Sequence, residues 1–148
     1  PDHLTQLMDA TTVVPAVNQV ELHPYFPQRE LQTFAAQHGI ITEAWSPIGG
    51  VNVYTTSDTD KQRRVLEEPA LRAIAEAHGK TPAQVILRWH LQQGRCAIPK
   101  SVNAGRIAEN FDVFDFELSP EELSAIDGLD TGTRGGPDPD QVNSTTFS

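Results

Sequence analysis

Three short apolar segments, each separated from the next by helical patterns that open on proline and close on glycine, limit what this chain can fold into. Residues 15–22 (PAVNQVEL), bounded by Pro15 and Pro24, and 40–47 (IITEAWSP), ended by Pro47 and the Gly49–Gly50 pair, read as strands; 96–99 (CAIP) reads as a third. Between them, 27–39 starts near Pro27, places Leu31, Phe34 and Ala35 on one face and stops at Gly39. The patterns at 69–79 and 81–94 repeat that punctuation, the second with Thr81 as cap, Pro82 in the first turn and Gly94 as stop. Residues 1–11 carry Leu4, Leu7 and Met8 at helical spacing. A further helix runs through Ile107, and Ser119 and Glu122 form a Ser-x-x-Glu capping box ahead of Leu123 and Ile126. The stretch 51–64 and the tail after Asp130 read as loops.

Strands that alternate with helices pair in parallel through crossovers. Three of them cannot close a barrel, and as an open sheet they leave two unprotected edges. A complete βα barrel takes roughly 250 residues, and this chain has 148. The expectation is half an α/β barrel, one that opens on a helix as though cut just after a strand.

Composition narrows the class. The net charge of −9 argues against a nucleic-acid or anionic-membrane surface. No apolar run approaches the ~20 residues of a membrane span, and the N-terminus has no basic-then-apolar signal. Cys96 is the single cysteine, so no internal disulfide forms, which suits a reducing cytoplasm. Without a secretion signal, the acceptor pattern at Asn143 reads as chance.

The charge is uneven. No acid lies between Glu76 and Glu109, while Lys80, Arg88, Arg95, Lys100 and Arg106 do; from Glu109 onward there are ten acids and one base, Arg134. Lys80, Arg88 and Arg95 read as solvated helix charges. Lys100 and Arg106 read differently, because they flank the end of a strand and the start of a helix.

In a parallel α/β barrel the C-terminal strand ends share one face, and sites lie there. Three clusters reach it. The first is Asn18, Gln19 and Glu21 with His23, Pro24 and Tyr25; the second is Trp45, Ser46 and Pro47; the third is Lys100 and Ser101 with Arg106 about a turn into the helix. A lysine, a hydroxyl, helix-start amides and an arginine fork make a phosphate cradle. Trp45 offers a flat face for a ring, and Gln19 an amide that both donates and accepts. Plainer readings stand beside these: Gln19 as a barrel-layer residue, Trp45 as core, Lys100–Ser101 as a strand end with a helix cap. No histidine pair has metal-site spacing, and His38 and His78 precede helix-ending glycines, where the dipole favours them. Gly-x-Ser-x-Gly, Gly-x-Gly-x-x-Gly and P-loop motifs are absent.

Taken together, PAVNQVELHPYFPQ, ITEAWSPIGG, IPKSVNAGRIAENFDVFDFELSPEEL and the tail GPDPD resemble, in order and spacing, the C-terminal half of an aldo-keto reductase. They are most similar to the bacterial branch that includes the 2,5-diketo-gluconate reductases. The Lys-Ser with Arg at +6, Glu at +9 and Asn at +10 from the lysine is that family's adenosine-phosphate signature. The resemblance implies a (β/α)8 TIM barrel, of which residues 1–130 supply about the last three βα units and the C-terminal helix, and 131–148 the substrate loop and tail. It implies that Gln19 bonds the nicotinamide carboxamide of NADPH and that Trp45 stacks on the nicotinamide ring. Ser46, Pro47 and Ile48 would line the pyrophosphate path, covered by the loop after Gly50. Lys100, Ser101 with the Val102 backbone, and Arg106 would hold the 2′-phosphate, and Glu109 and Asn110 would face the adenine.

The same resemblance implies what these residues do not supply. The family's Asp, Tyr, Lys and His, which protonate and orient the carbonyl, come from its first four strands, and neither Tyr25 nor Tyr54 matches their context. The Gly-Val-Ser-Asn-Phe strand that helps hold the carboxamide is also unmatched. The parent protein is expected to reduce small aldehydes and ketones with NADPH, and the 148-residue piece to be inert and to bind no metal. Full-length members are usually monomers, whereas two half-barrels would pair through their open edges as a homodimer. Two rival readings remain: a Schiff-base lyase in which Lys100 attacks a carbonyl, and a non-catalytic nucleotide-binding or assembly module. Pro99 before Lys100 and Arg106 after it favour phosphate holding.

Overall fold

Proline, which needs no amide partner in a first helical turn, stands at the first position of three helices. The computed structural model describes residues 1–49 and 65–141, so the 51–64 loop and the Asn143 acceptor lie outside the described residues. Its elements run α1 (Asp2–Ala10), β1 (Val17–Glu21), α2 (Arg29–Gln37), β2 (Ile41–Trp45), one 3-10 turn (Val65–Glu67), α3 (Pro69–His78), α4 (Pro82–Gln92), β3 (Cys96–Ala97), α5 (Ala104–Phe111) and α6 (Pro120–Asp127). Pro69, Pro82 and Pro120 open α3, α4 and α6. The Ser119–Glu122 capping box forms as its spacing predicts. Thr81 caps α4 as expected, and Gln84 returns the bond to the Thr81 amide at 2.9 Å, completing a second box. Among the described residues, no helix is long and apolar enough to cross a membrane.

The three strands form one parallel sheet in the order β1-β2-β3, with Gln19 opposite Glu43 and Glu21 opposite Trp45. β3 is only two residues long because the ladder ends at Pro99: the Ile98 amide still donates to the Ala44 carbonyl at 3.1 Å, and proline has no amide to continue.

The pleat divides the sheet. Val20, Leu22 and Ala44 face the helices and join Leu71, Ile74 and Ala75 of α3, Val85, Ile86 and Trp89 of α4, and Leu118 and Ile126 in the main core. Leu4, Ala35 and Ile40 make a smaller one beneath α1 and α2. The opposite face carries Val17, Gln19, Glu43 and Ile41. Val17 and Ile41 remain 45% and 48% exposed, so the start of this face is uncovered among the described residues, whereas Glu21 and Trp45 at its far end meet Gly135 and Gly136 of the tail.

Three basic residues expected as solvated helix charges are tied to other parts of the chain, and one of them is buried. Lys80 reaches Asp112 at 2.9 Å and Asp115 at 2.7 Å. Arg88 donates to Gln92 and to the Val113 carbonyl. Arg95 is 4% exposed; its guanidinium lies 3.9 Å over the Trp89 ring and donates to Gln32, Gln93 and the Trp89 carbonyl. Burial pushes it down to about 10, which leaves it charged at neutral pH. His78 is likewise more than a dipole partner: its Nε2 meets the Glu122 carboxylate at 2.9 Å, tying α3 to α6.

Candidate functional site

Because the strands are parallel and β2 lies between its neighbours, the ends of all three rise to one rim. Gln19, Trp45 and the turn 46–48 stand on the β1–β2 part of that rim, and Lys100 and Ser101 follow β3. The rim thus brings the sequence-predicted residues into two adjoining groups.

In the first group, Gln19 is exposed on the sheet face away from the helices and its Nε2 donates to Glu43 Oε1 at 2.6 Å. One amide hydrogen and the carbonyl oxygen remain for another partner. Trp45, half-buried, ends β2 on the same face as Gln19. Ser46 then turns the chain with φ of 49°, a left-handed conformation that costs a non-glycine residue about 1 kcal/mol or more. The turn is held from two sides: the Gly49 amide donates to the Ser46 carbonyl at 2.9 Å, and buried His90 of α4 donates through Nε2 to the Pro47 carbonyl at 2.9 Å. A carbonyl can only accept, so His90 is the Nε2–H tautomer and its Nδ1 is the buried atom without a partner. Ile48 packs onto the main core and fixes the far side of the turn.

In the second group, the Ser101 hydroxyl accepts from the Asn103 amide at 3.1 Å, and the Asn103 side chain caps α5 by accepting from the Arg106 amide at 3.0 Å. The amides of the first helical turn before Arg106 are free of intrahelical partners by geometry, and they point off the helix start. Lys100, Val102, Arg106 and Glu109 are exposed, with Ser101 and Asn110 half-buried. Neither Lys100 nor Arg106 is in an ion pair or side-chain hydrogen bond with another described residue. In a chain of net charge −9, two unpaired cations beside a helix N-terminus form a positive spot that suits a phosphate. The exposure of Lys100 also denies it the apolar surroundings that make a lysine amine nucleophilic.

Two residues build this site without having been marked for a role by their spacing. His90 lies at i+4 from buried Ile86, which is the only sequence sign that it faces the core. Glu21 belongs to the first rim cluster, yet nothing local reveals its partners, which lie in the tail. Its carboxylate takes the Gly135 and Gly136 amides at 2.5 and 2.9 Å and His23 Nε2 at 3.0 Å. Burial alone would push the Glu21 carboxyl up, but the bonds from His23, Gly136 and Gly135 outweigh it and hold the group below its ordinary value. A cavity of about 600 Å³ opens beside this rim, lined among others by His3, Gln19, Glu21, Trp45, Arg134 and Asp138. Among the described residues, no three histidine, cysteine or carboxylate side chains stand close enough together to hold a metal ion.

With this geometry in place, the chain can be compared with known proteins. The model of the aldo/keto reductase family matches residues 1–131. A morphine 6-dehydrogenase of Pseudomonas putida is 53% identical, over 99% of this chain and 50% of its own length. The methylglyoxal reductase DkgA of Escherichia coli is 49% identical, over 94% of this chain and 47% of its own. Among solved structures, a mutant of Gox0644 in complex with NADPH superposes with a TM-score of 0.84 at 48% identity, over 96% of this chain and 48% of that one. The chain spans about half the length of the curated relatives it matches.

Proposed function

Since this chain belongs to the aldo/keto reductase family, we propose that it forms the cofactor-holding part of a cytoplasmic oxidoreductase that reduces small aldehydes and ketones with NADPH. The observation that carries this reading is the pair of cations, Lys100 and Arg106, without an ion-pair partner among the described residues, at the exposed start of α5 beside Ser101. The donor set fits the group: the 2′-phosphate is a dianion, and the chain offers it an ammonium, a guanidinium fork, a hydroxyl and helix-start amides.

In this reading Lys100, Ser101, the Val102 backbone and Arg106 hold the 2′-phosphate, with Glu109 and Asn110 against the adenine. The Ser46–Ile48 turn, braced by His90, gives the pyrophosphate a fixed wall. Trp45 receives the nicotinamide ring and Gln19 its carboxamide, with Glu43 orienting the glutamine. The cofactor supplies a hydride when bound. This chain's residues orient it and exclude water beneath it.

Equilibrium binding tests the assignment. Arg106→Ala is expected to weaken NADPH binding roughly 10- to 100-fold, the equivalent of about 1.5–3 kcal/mol for a hydrogen bond to a charged group, while leaving NADH unchanged. Equal weakening of both dinucleotides would remove the 2′-phosphate assignment.

The proton-transfer groups that the family resemblance implies are not among these 148 residues. Tyr25, the one tyrosine described, donates its hydroxyl to Glu68 at 2.5 Å. We therefore expect the pure 148-residue chain, mixed with NADPH and methylglyoxal, to oxidise the cofactor no faster than buffer does. Turnover by a chain of verified mass near 16.2 kDa would refute this.

A further inference from the structure

The C-terminal tail crosses the rim as a stapled strap, and the staple is one carboxylate. Glu21, 2% exposed at the end of β1, accepts the successive amides of Gly135 and Gly136, residues 114 and 115 positions away in sequence. Two consecutive amides on one carboxylate form a backbone nest, here closed around an anion the protein itself provides. His23 secures the same carboxylate from below. Arg134 adds its charge at 4.0 Å from Glu21 and lays its guanidinium over the Phe26 ring at 4.8 Å. Upstream, the tail is tied once more where Thr131 donates to the Tyr25 carbonyl at 3.1 Å.

The stapled tail ends against the indole. A Cβ placed on Gly136 would lie 2.3 Å from Cη2 and 3.2 Å from Cζ3 of Trp45, and 3.1 Å from Glu21 Oε2. Only a glycine passes there. Glu21 and Trp45 are opposite one another in the sheet register, so the tail backbone is pinned to β1 at the point where it touches the ring that ends β2. An indole only partly buried at a strand end has room to swing about its side-chain torsions, and a backbone stop at its outer edge removes that freedom.

We propose that Glu21 and Gly136 are positioning residues for the cofactor: the Glu21 carboxylate staples residues 135 and 136 so that Gly136 acts as a stop fixing the Trp45 indole for nicotinamide stacking. This rests on Trp45 being the nicotinamide platform. The stop sets the ring angle without touching the dinucleotide. Its loss therefore weakens the nicotinamide end, which NADPH and NADH share.

The test uses the whole chain and separates the two layers. Of its two tryptophans, Trp89 is fully buried, so acrylamide-quenchable emission reports Trp45. In Glu21→Gln, exchange protection of the Gly135 and Gly136 amides is expected to drop roughly 10- to 100-fold, because the two amides use different carboxylate oxygens and an amide side chain leaves one of them a neutral acceptor and turns an NH2 toward the other. Acrylamide quenching of Trp45 rises. Gly136→Ala, which touches no core residue, changes Trp45 quenching while Leu71 and Val85 amides keep their protection, so it serves if Glu21→Gln unfolds. Both variants are expected to lose NADPH and NADH affinity by the same factor, and to lose the quenching of Trp45 emission by bound nicotinamide. Arg106→Ala discriminates between the dinucleotides and leaves free Trp45 unaltered. Unchanged amide exchange in Glu21→Gln, or unchanged Trp45 quenching in Gly136→Ala, overturns the staple and stop. If both respond but nicotinamide binding is indifferent, the positioning role falls, whereas the assignment of the 2′-phosphate to Arg106 still stands or falls on its own measurement.

Discussion

Trp89→Ala is expected to remove about 3–5 kcal/mol of stability, the upper range for a large-to-small change in a core. The side chain is fully buried among the main core residues, and three elements depend on it. Its Nε1 donates to Asp127 Oδ1 at 2.8 Å, which joins α4 to the end of α6. Its ring carries the buried Arg95 guanidinium at 3.9 Å, and Arg95 in turn holds Gln32 of α2. Truncation leaves a cavity, removes the shorter of the two bonds that Asp127 Oδ1 accepts and leaves a buried cation without its π-face. Against a total stability of roughly 5–15 kcal/mol for a domain, such a loss brings the chain close to unfolding. Urea denaturation followed by far-UV circular dichroism measures it. Phe111→Ala, at a side chain 77% exposed, is the control and should stay within about 0.5 kcal/mol of the parent. A Trp89→Ala cost near that of the control would contradict the core described above.

Acid is expected to destabilise the fold earlier than its carboxylates alone would dictate, because of His90. Burial, with help from the Arg95 cation and from His23 and against the bond to Pro47, pushes His90 from 6.5 down to about 3. Between those two values the unfolded chain binds a proton at this position that the folded chain refuses. Stability therefore falls as pH falls through that window, by roughly 1.4 kcal/mol per pH unit. Glu21 and Glu122 are held below their ordinary 4.5, and Asp115 below 3.8; what they contribute is present above those values and lost only at lower pH. The stretch between pH 6.5 and 5 thus lies above the carboxylates, and the difference between parent and a His90 variant across it reads His90 alone. His90→Gln keeps a donor for the Pro47 carbonyl and has nothing to titrate. Its denaturation midpoints should be flatter across that stretch by about one proton's slope. An unchanged slope would mean that His90 is not the group responsible.

Much of the architecture was legible because it is written locally. Thr81 and Ser119 announce their helices by capping chemistry that involves only the next three residues. Pro99 ends a strand because it lacks an amide, whatever surrounds it. The Lys100–Ser101–Arg106 spacing around a strand end was enough to expect an anion site, and the order of the four family motifs was enough to expect an aldo/keto reductase. Arg95 shows where such reading stops. Its neighbours in sequence suggest a solvated charge at a helix end, yet the Trp89 ring, Gln32 and Gln93 converge on it and replace water. Asn103, not the Lys-Ser pair, caps α5, a choice between adjacent polar residues that depends on where the chain turns.

The set of elements and their parallel arrangement were therefore readable from the chain alone, since they depend on backbone chemistry and side-chain period within a few residues; the family came from the resemblance carried by the four motifs in their order. Which charges are buried, and what each of them holds, was settled only by folding. Glu21 is a strand-end carboxylate by sequence and becomes the anchor of the tail only because folding brings Gly135 and Gly136 across more than a hundred residues to its oxygens. Burial of a charge is set by partners from distant parts of the chain, and no local pattern carries their positions.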